Sequence, residues 1–202
     1  MSRVRTRPTR AETRQRLFEA AAQVFQEQGI GAASIDAIAE AAGLTRGAFY
    51  SNFDNKDELI VAMLEDHVDR SLQHHREILA RHPEPADFLA ALRTAERSRQ
   101  DPLGRAPLLH LELILFVARL ERRRSDLRER LRTRRALIAE IVEKFNRSGG
   151  TKLDPQWAST LLLALEDGFR LHRLIDPQGV PAEAFFRSVA ELLQLLRVSN
   201  EK

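Results

Sequence analysis

With 202 residues, 43% of them hydrophobic and 30% charged, the chain can bury a sizeable core in one or two globular domains, without a disulfide or metal staple. Cysteine is absent, which excludes disulfides, thiolate metal sites and a cysteine nucleophile and fits a reducing cytoplasm. The formal charge is only +3, but six arginines (Arg3, Arg5, Arg7, Arg10, Arg14, Arg16) face Glu12 alone in residues 1–16, and nine arginines face three acids in residues 119–135.

Lysine occurs only at Lys56, Lys144, Lys152 and Lys202, so arginine supplies 28 of the 32 basic residues. Guanidinium forks match pairs of phosphate oxygens; a solvated helical face is the competing reading, and the weightier one for 119–135. No apolar run approaches the ~18–20 residues of a membrane span, since Leu108–Ala118 contains His110 and Glu112. The N-terminal arginines lead into no apolar h-region, so no secretory signal is expected. These features predict a soluble, cytoplasmic protein.

The hydrophobic period is helical almost throughout, and strand-like alternation is nowhere sustained. Thr9-x-x-Glu12 is a capping box ahead of a first helix whose stripe of Leu17, Ala21, Val24 and Gln28 stops at Gly29. Ser34 caps a second helix over 35–41, ended by Gly43, and Thr45 caps a third running to about Asn52. Asn55-x-x-Glu58, another capping box, opens a long helix from Lys56 to near Arg81. Further helices are predicted over 86–99, 104–118, 125–147, 155–174 and 182–197, the 155–174 helix with Asp154 as N-cap and Pro155 in first position. The prediction is an all-α fold of about nine helices. Residues 1–10 read as a flexible basic arm, 11–54 as a small three-helix module, and 55–202 as a larger helical bundle.

Within residues 34–53, Ile38, Ala39, Ala42, Gly43, Leu44 and Phe49 have the spacing of a helix-turn-helix. Ala39 is small where two helices cross, and Gly43 suits the positive φ of a tight interhelical turn. Leu44, Phe49 and Phe53 are expected to point inward. That leaves Arg46, Gly47, Tyr50 and Ser51 on the outer face of a short helix able to enter a major groove. Taken alone, two short helices around a glycine also match many helical proteins.

The surroundings carry more. An Ala-rich first helix with Phe25 and the Gly29 stop, Ser34-x-x-x-Ile38-Ala39, the Ala42-Gly43 turn, Gly47-x-Phe49-Tyr50-x-x-Phe53 and Lys56-x-x-Leu59 occur together, without a gap, over Thr13–Leu64. As a set they strongly resemble the N-terminal domain of the TetR family of bacterial repressors. The resemblance implies double-stranded DNA with a palindromic operator as partner. It also implies phosphate contacts from Ser34 and Lys56, and a recognition helix beginning at Thr45 and Arg46, with Arg46 reaching guanine O6/N7. Gly47 would let that helix lie close to base edges, and Tyr50 matches the aromatic that contacts backbone and a thymine methyl. Asn52 stands where the family often has a phosphate-binding histidine. The arm arginines Arg3, Arg5, Arg7 and Arg10 can follow a minor groove.

For 55–202 the resemblance, looser here, implies an effector-binding and dimerisation domain. Residues 155–174 are apolar nearly all round and need cover on two sides. With 185–196 they suggest a homodimer interface of Leu161, Leu165, Gly168, Phe185, Val189, Leu192, Leu193 and Leu196; an intramolecular core is the alternative. Candidate effector-contacting residues are His110, Glu112, Phe116, Trp157, Glu166 and Phe169. No Gly-rich phosphate loop or nucleophile elbow is visible, so no catalytic residue and no cofactor is expected. His67, His74, His75 and His82 read as surface histidines rather than metal ligands, because adjacent histidines diverge by ~100° on a helix. The reading is a sequence-specific DNA-binding regulator, nucleoid-associated when bound and released by an unknown small molecule. A DNA-binding scaffold acting through protein contacts is the rival, and activation stands open beside repression.

Overall fold

A computed structural model describes residues 9–96, 102–120, 124–147 and 152–200. Ten helices and no strand occur among them: α1 (Arg10–Ala32), α2 (Ile35–Ala41), α3 (Arg46–Tyr50), α4 (Lys56–Arg81), α5 (Pro85–Glu96), α6 (Pro102–Arg105), α7 (Pro107–Arg119), α8 (Arg124–Arg147), α9 (Pro155–Ile175) and α10 (Ala184–Asn200). The all-α expectation holds. The extra helix arises because the predicted 104–118 segment is interrupted at Ala106 (φ −125°, ψ 69°). The ring of Pro107 drives the preceding residue out of the helical region, and Pro107 then starts α7 as its first residue. None of the described helices is long and apolar enough to cross a membrane.

Local signals set most of the helix starts. Thr9 Oγ1 accepts from the Glu12 amide at 3.2 Å, and the Thr9 amide donates to Glu12 Oε2 at 2.7 Å, the reciprocal box. Its hydrogen bonds hold the Glu12 carboxyl below the usual carboxylate range. Ser34 and Thr45 accept from the Ala37 and Ala48 amides at 3.1 Å each, and Asp154 Oδ1 accepts from Gln156 and Trp157 at 2.8 and 3.0 Å. The second capping box differs in detail: Asn55 accepts from Glu58, but Glu58 reaches back to the amide of Asp54. Gly29 breaks α1 with φ 77° and ψ 155°, and Gly43 turns the chain between α2 and α3 with φ 64°.

The chain divides into two compact units, one of Met1–Asp66 with Gln100–Arg124 and one of His67–Arg99 with Ser125–Lys202. The unit that carries α1–α3 therefore continues past residue 54 and takes in α6 and α7. The reason is burial: Leu59, Ile60 and Leu64 at the start of α4 are 0–1% exposed, so α1–α3 do not close a core alone. In that core Phe18, Phe49 and Phe53 meet with ring centroids 5.8 Å apart for Phe18–Phe53 and for Phe49–Phe53, as the predicted inward direction of Phe49 and Phe53 requires. Leu44 is half-buried. The second unit is built on Val68, Leu72, Ile78 and Leu79 of α4, Phe88 of α5, and Leu137, Ile141 and Phe145 of α8.

Two histidines correct the sequence reading: His67 and His75 are buried, while His82 is exposed. They share one face of α4 with buried Ser71, at the i, i+4, i+8 spacing that puts residues above one another. Among the described residues no group of three or more His, Asp or Glu is placed to hold a metal.

Gly29 sits in a backbone region that is essentially closed to side chains, although a Cβ would meet nothing within 4 Å. Gly29→Ala is therefore expected to lower unfolding free energy by ~1–3 kcal/mol through backbone strain alone, read as a reduced urea midpoint at unchanged slope.

Candidate DNA-binding interface

α3 is a five-residue helix with two unlike faces. Phe49 is fully buried, whereas Arg46, Gly47, Tyr50 and Ser51 are exposed, Tyr50 by 43%. Phe49 also carries Tyr50, edge to face at 5.6 Å, so the core aromatic supports the outer one. Arg46 Nη1 donates to Asp36 Oδ2 of α2 at 2.6 Å, and Nη2 lies 3.4 Å from the Tyr50 hydroxyl. The guanidinium carbon is 5.5 Å from the centre of the Tyr50 ring. The Tyr50 hydroxyl, and then Asp36, push the Arg46 pKa above its already high ordinary value. Ser51 Oγ donates to the Gly47 carbonyl at 2.9 Å, ending the helix with its hydroxyl proton engaged.

Gly47 is informative because its own fold does not require it. A Cβ there would meet only Thr45 Oγ1, at an ordinary 3.7 Å, and its φ is not positive. Glycine in a helix costs about 0.5–1 kcal/mol relative to alanine, and no neighbour in the chain explains it.

Two residues expected to contact phosphate have partners within the chain. Lys56 Nζ donates to the carbonyls of Ile30, Gly31 and Ala33 at 2.6, 3.3 and 2.9 Å. An ammonium has three donors, and all three are engaged within the chain. The carbonyls are those left without helical partners where α1 breaks at Gly29. Asn52 is also turned inward: it is 9% exposed, its amide donates to the Ala48 carbonyl at 2.8 Å, and its Oδ1 is buried without a partner.

Sequence reasoning missed the two residues that hold this surface together. Asp36 is not among the predicted site residues. Arg14, counted in the basic run over residues 1–16, packs its guanidinium 4.5 Å from the Phe53 ring centre and 5.6 Å from that of Phe18, and donates to the Asn52 carbonyl at 3.5 Å. Arg10 is exposed at the first position of α1, and Arg3, Arg5 and Arg7 lie outside the described residues.

The six effector candidates are divided between the two units. His110 (buried), Glu112 (exposed) and Phe116 (half-buried) belong to the first unit. In the second, Trp157 is 66% exposed, Phe169 packs edge to face on Phe185 at 6.3 Å, and Glu166 bridges Arg134 and Arg170 at 2.8 and 2.7 Å. Burial, and then the charge of Glu166, push the neighbouring Asp167 carboxyl up. A groove of about 260 Å³ does occur in this unit, but Leu89, Arg93, Phe145, Phe186 and Leu193 line it with three alanines.

The proposed interface residues also separate. Val189 is buried within the chain, and Leu193 packs against the core of its own unit. Leu165, Gly168 and Phe185 are half-buried, Leu161 and Leu192 are each 45% exposed, and the side chain of Leu196 lies outside those described. What the structure adds is an apolar stripe on α9, with Trp157, Leu161, Ala164, Leu171 and Ile175 exposed around the half-buried Gly168 and Ile175 77% exposed. Their 4-3-4-3-4 spacing is that of a helix seam.

Comparison with known proteins places these features. The family description "Bacterial regulatory proteins, tetR family" matches residues 17–63, and "Tetracyclin repressor-like, C-terminal domain" matches residues 83–195. A Pseudomonas putida protein named as a probable HTH-type transcriptional regulator, ArpR, is 32% identical over 160 residues, 79% of this chain and 68% of its own. TtgR of Pseudomonas putida, an HTH-type transcriptional regulator, is 39% identical over 80 residues, 37% of this chain and 38% of its own. Among solved structures, FadR of Bacillus halodurans, a fatty acid degradation regulator, superposes with a TM-score of 0.72 at 20% identity, covering 93% of this chain and 96% of that one. FadR of Bacillus subtilis in complex with stearoyl-CoA does so with 0.66 at 21% identity, covering 88% and 96%.

The geometry of Lys56 gives a test. Lys56→Met is expected to lose ~1.5–3 kcal/mol of stability, the usual worth of hydrogen bonds to a charged group. The slope of log K against log salt for DNA binding should stay unchanged. A lysine bound to phosphate would instead reduce that slope by about 0.9.

Proposed function

Since the chain belongs to the TetR family of bacterial regulatory proteins and is a DNA-binding transcriptional regulator, we propose that it represses by occupying a two-fold operator as a homodimer and leaves it when a small molecule binds its C-terminal domain. The observation that carries the readout is the outer face of α3. Arg46, Gly47, Tyr50 and Ser51 are exposed on a helix whose inner face is fully buried, so the core fixes what the surface presents. Thr45 and Ser34 cap the two helices at their exposed ends, where amides and hydroxyls can meet phosphates. The arm, including Arg10, supplies contacts that add affinity without sequence information.

The exposed apolar face of α9 supports the homodimer. Five small or apolar residues on one seam remain exposed in the single chain around the half-buried Gly168, and a two-fold axis buries the same patch on both copies. Gly168 lies in the middle of the seam with nothing within 4 Å of a Cβ, so a second backbone can approach there. Leu161 and Gly168 of the predicted set stay in this interface with Leu192 of α10; Trp157 moves into it from the effector set, and Leu171 and Ile175 join.

Release requires the effector to distinguish two arrangements of the dimer, since it shifts the equilibrium only by its differential affinity. α4 runs unbroken from Lys56 to Arg81, ~39 Å at 1.5 Å per residue, and is the helical connection from the Lys56 clasp to the C-terminal core. Similar folds are described with stearoyl-CoA in one case and choline in another. The fold therefore accommodates chemically unlike ligands and does not name this one.

Two variants test the reading. Gly47→Leu should leave the melting temperature unchanged or raised and weaken operator binding by ~1–3 kcal/mol, the usual cost of overpacking a close contact. Unchanged affinity would mean that α3 does not approach DNA. Leu171→Glu should sediment as a monomer and lose operator binding, while its helix content stays that of the wild type.

A further inference from the structure

We propose that Asp36 is a positioning residue for sequence readout, fixing the Arg46 guanidinium so that one defined edge is offered to a guanine. The inference rests on the DNA-binding reading of α3 and extends it to a residue on the other helix of the motif.

The pair spans the two helices. Asp36 is the second residue of α2, and Arg46 is the first of α3. Nη1 sits 2.6 Å from Asp36 Oδ2, and the two side chains remain 59% and 61% exposed. An ion pair so exposed contributes little to stability, so fold stability is a poor account of it. What it does alter is the freedom of the arginine. With Nη1 held by the carboxylate, and Tyr50 flanking the guanidinium at 5.5 Å, the side edge formed by Nε and Nη2 remains. Its two parallel N–H groups match O6 and N7 of guanine. The single contact on that edge is the long 3.4 Å approach of Nη2 to the Tyr50 hydroxyl, which a base can displace.

Charge leads to the same assignment. A free arginine at the start of a recognition helix is drawn to the nearest phosphate, a contact without sequence information. Paired with Asp36, Arg46 presents little net charge to the backbone, while its hydrogen-bonding edge stays available. As water leaves the interface the pair strengthens, so the orientation persists where it is needed. Asp36 thus exchanges general attraction for discrimination.

The test uses the full-length protein, duplexes that the wild type enriches from a randomised library, and a scrambled duplex of equal composition. Affinities are measured across a salt series for wild type, Asp36→Asn, Asp36→Glu, Arg46→Ala and the Asp36→Asn/Arg46→Ala double variant. Asp36→Asn should bind the scrambled duplex more tightly, with a log–log salt slope steeper by about 0.9 as Arg46 turns to a phosphate. Its ratio of selected to scrambled affinity should fall about tenfold, concentrated at one G·C pair. Asp36→Glu should recover most of the ratio, and in the Arg46→Ala background Asp36→Asn should leave it unchanged. A ratio preserved in Asp36→Asn, or an equal fall without Arg46, would overturn the assignment. If the wild type enriches no duplex, the readout by α3 fails, and the role of Asp36 with it.

Discussion

One ammonium group organises the DNA-facing part of the molecule. Gly29 breaks α1 in a conformation that leaves carbonyls near its end without helical partners, and Lys56 gathers three of them from the first residue of α4. The clasp ties the end of α1 to the start of α4, and α2 and α3 are the chain between those two points. Arginine could not substitute easily, because a planar fork does not converge on three carbonyls as a compact ammonium does. Phe49 and Phe53 then fill the space beneath, and α3 has only one way to face. The outer residues are thus placed by a hydrogen-bonding requirement of the backbone as well as by hydrophobic burial.

This explains what was legible in the sequence. Thr9, Ser34, Thr45, Asp154, Gly29 and Gly43 act through their own backbone or the next turn, so the residue type is nearly the structure. Phe49 and Phe53 were legible because one helical turn separates them on one face. Lys56 and Asn52 were not: residue type and family resemblance both point them at phosphate, and only the fold shows carbonyls within their reach. Pro107 shows a simpler failure, a breaker hidden inside an otherwise helical run of leucines.

In the C-terminal part the difficulty is of another kind. α9 is apolar on most of its circumference, and periodicity cannot say which apolar side a chain keeps for itself. The structure gives Ala158, Ser159 and Val189 to the interior and leaves the Trp157–Ile175 stripe outside. Glu166, Arg134 and Arg170 show the same limit for charge. A glutamate on an apolar helix reads equally as a ligand contact or an internal ion pair, and only the partner on α8 decides. Arg134 Nε stays buried without a hydrogen bond, an unsatisfied donor of the sort that costs ~1–3 kcal/mol.

The internal use of cations has a consequence for how the protein searches DNA. Residues 9–66 contain five basic side chains, Arg10, Arg14, Arg16, Arg46 and Lys56, against ten acidic ones. Of the five, Lys56 is taken up by carbonyls, Arg14 by aromatic rings and Arg46 by a carboxylate. A helix-turn-helix of this composition offers a passing duplex no sheet of positive charge, and so little to slide along. General attraction to the backbone then falls to the arm arginines Arg3, Arg5, Arg7 and Arg10, and the helix-turn-helix itself contributes mainly where the bases fit.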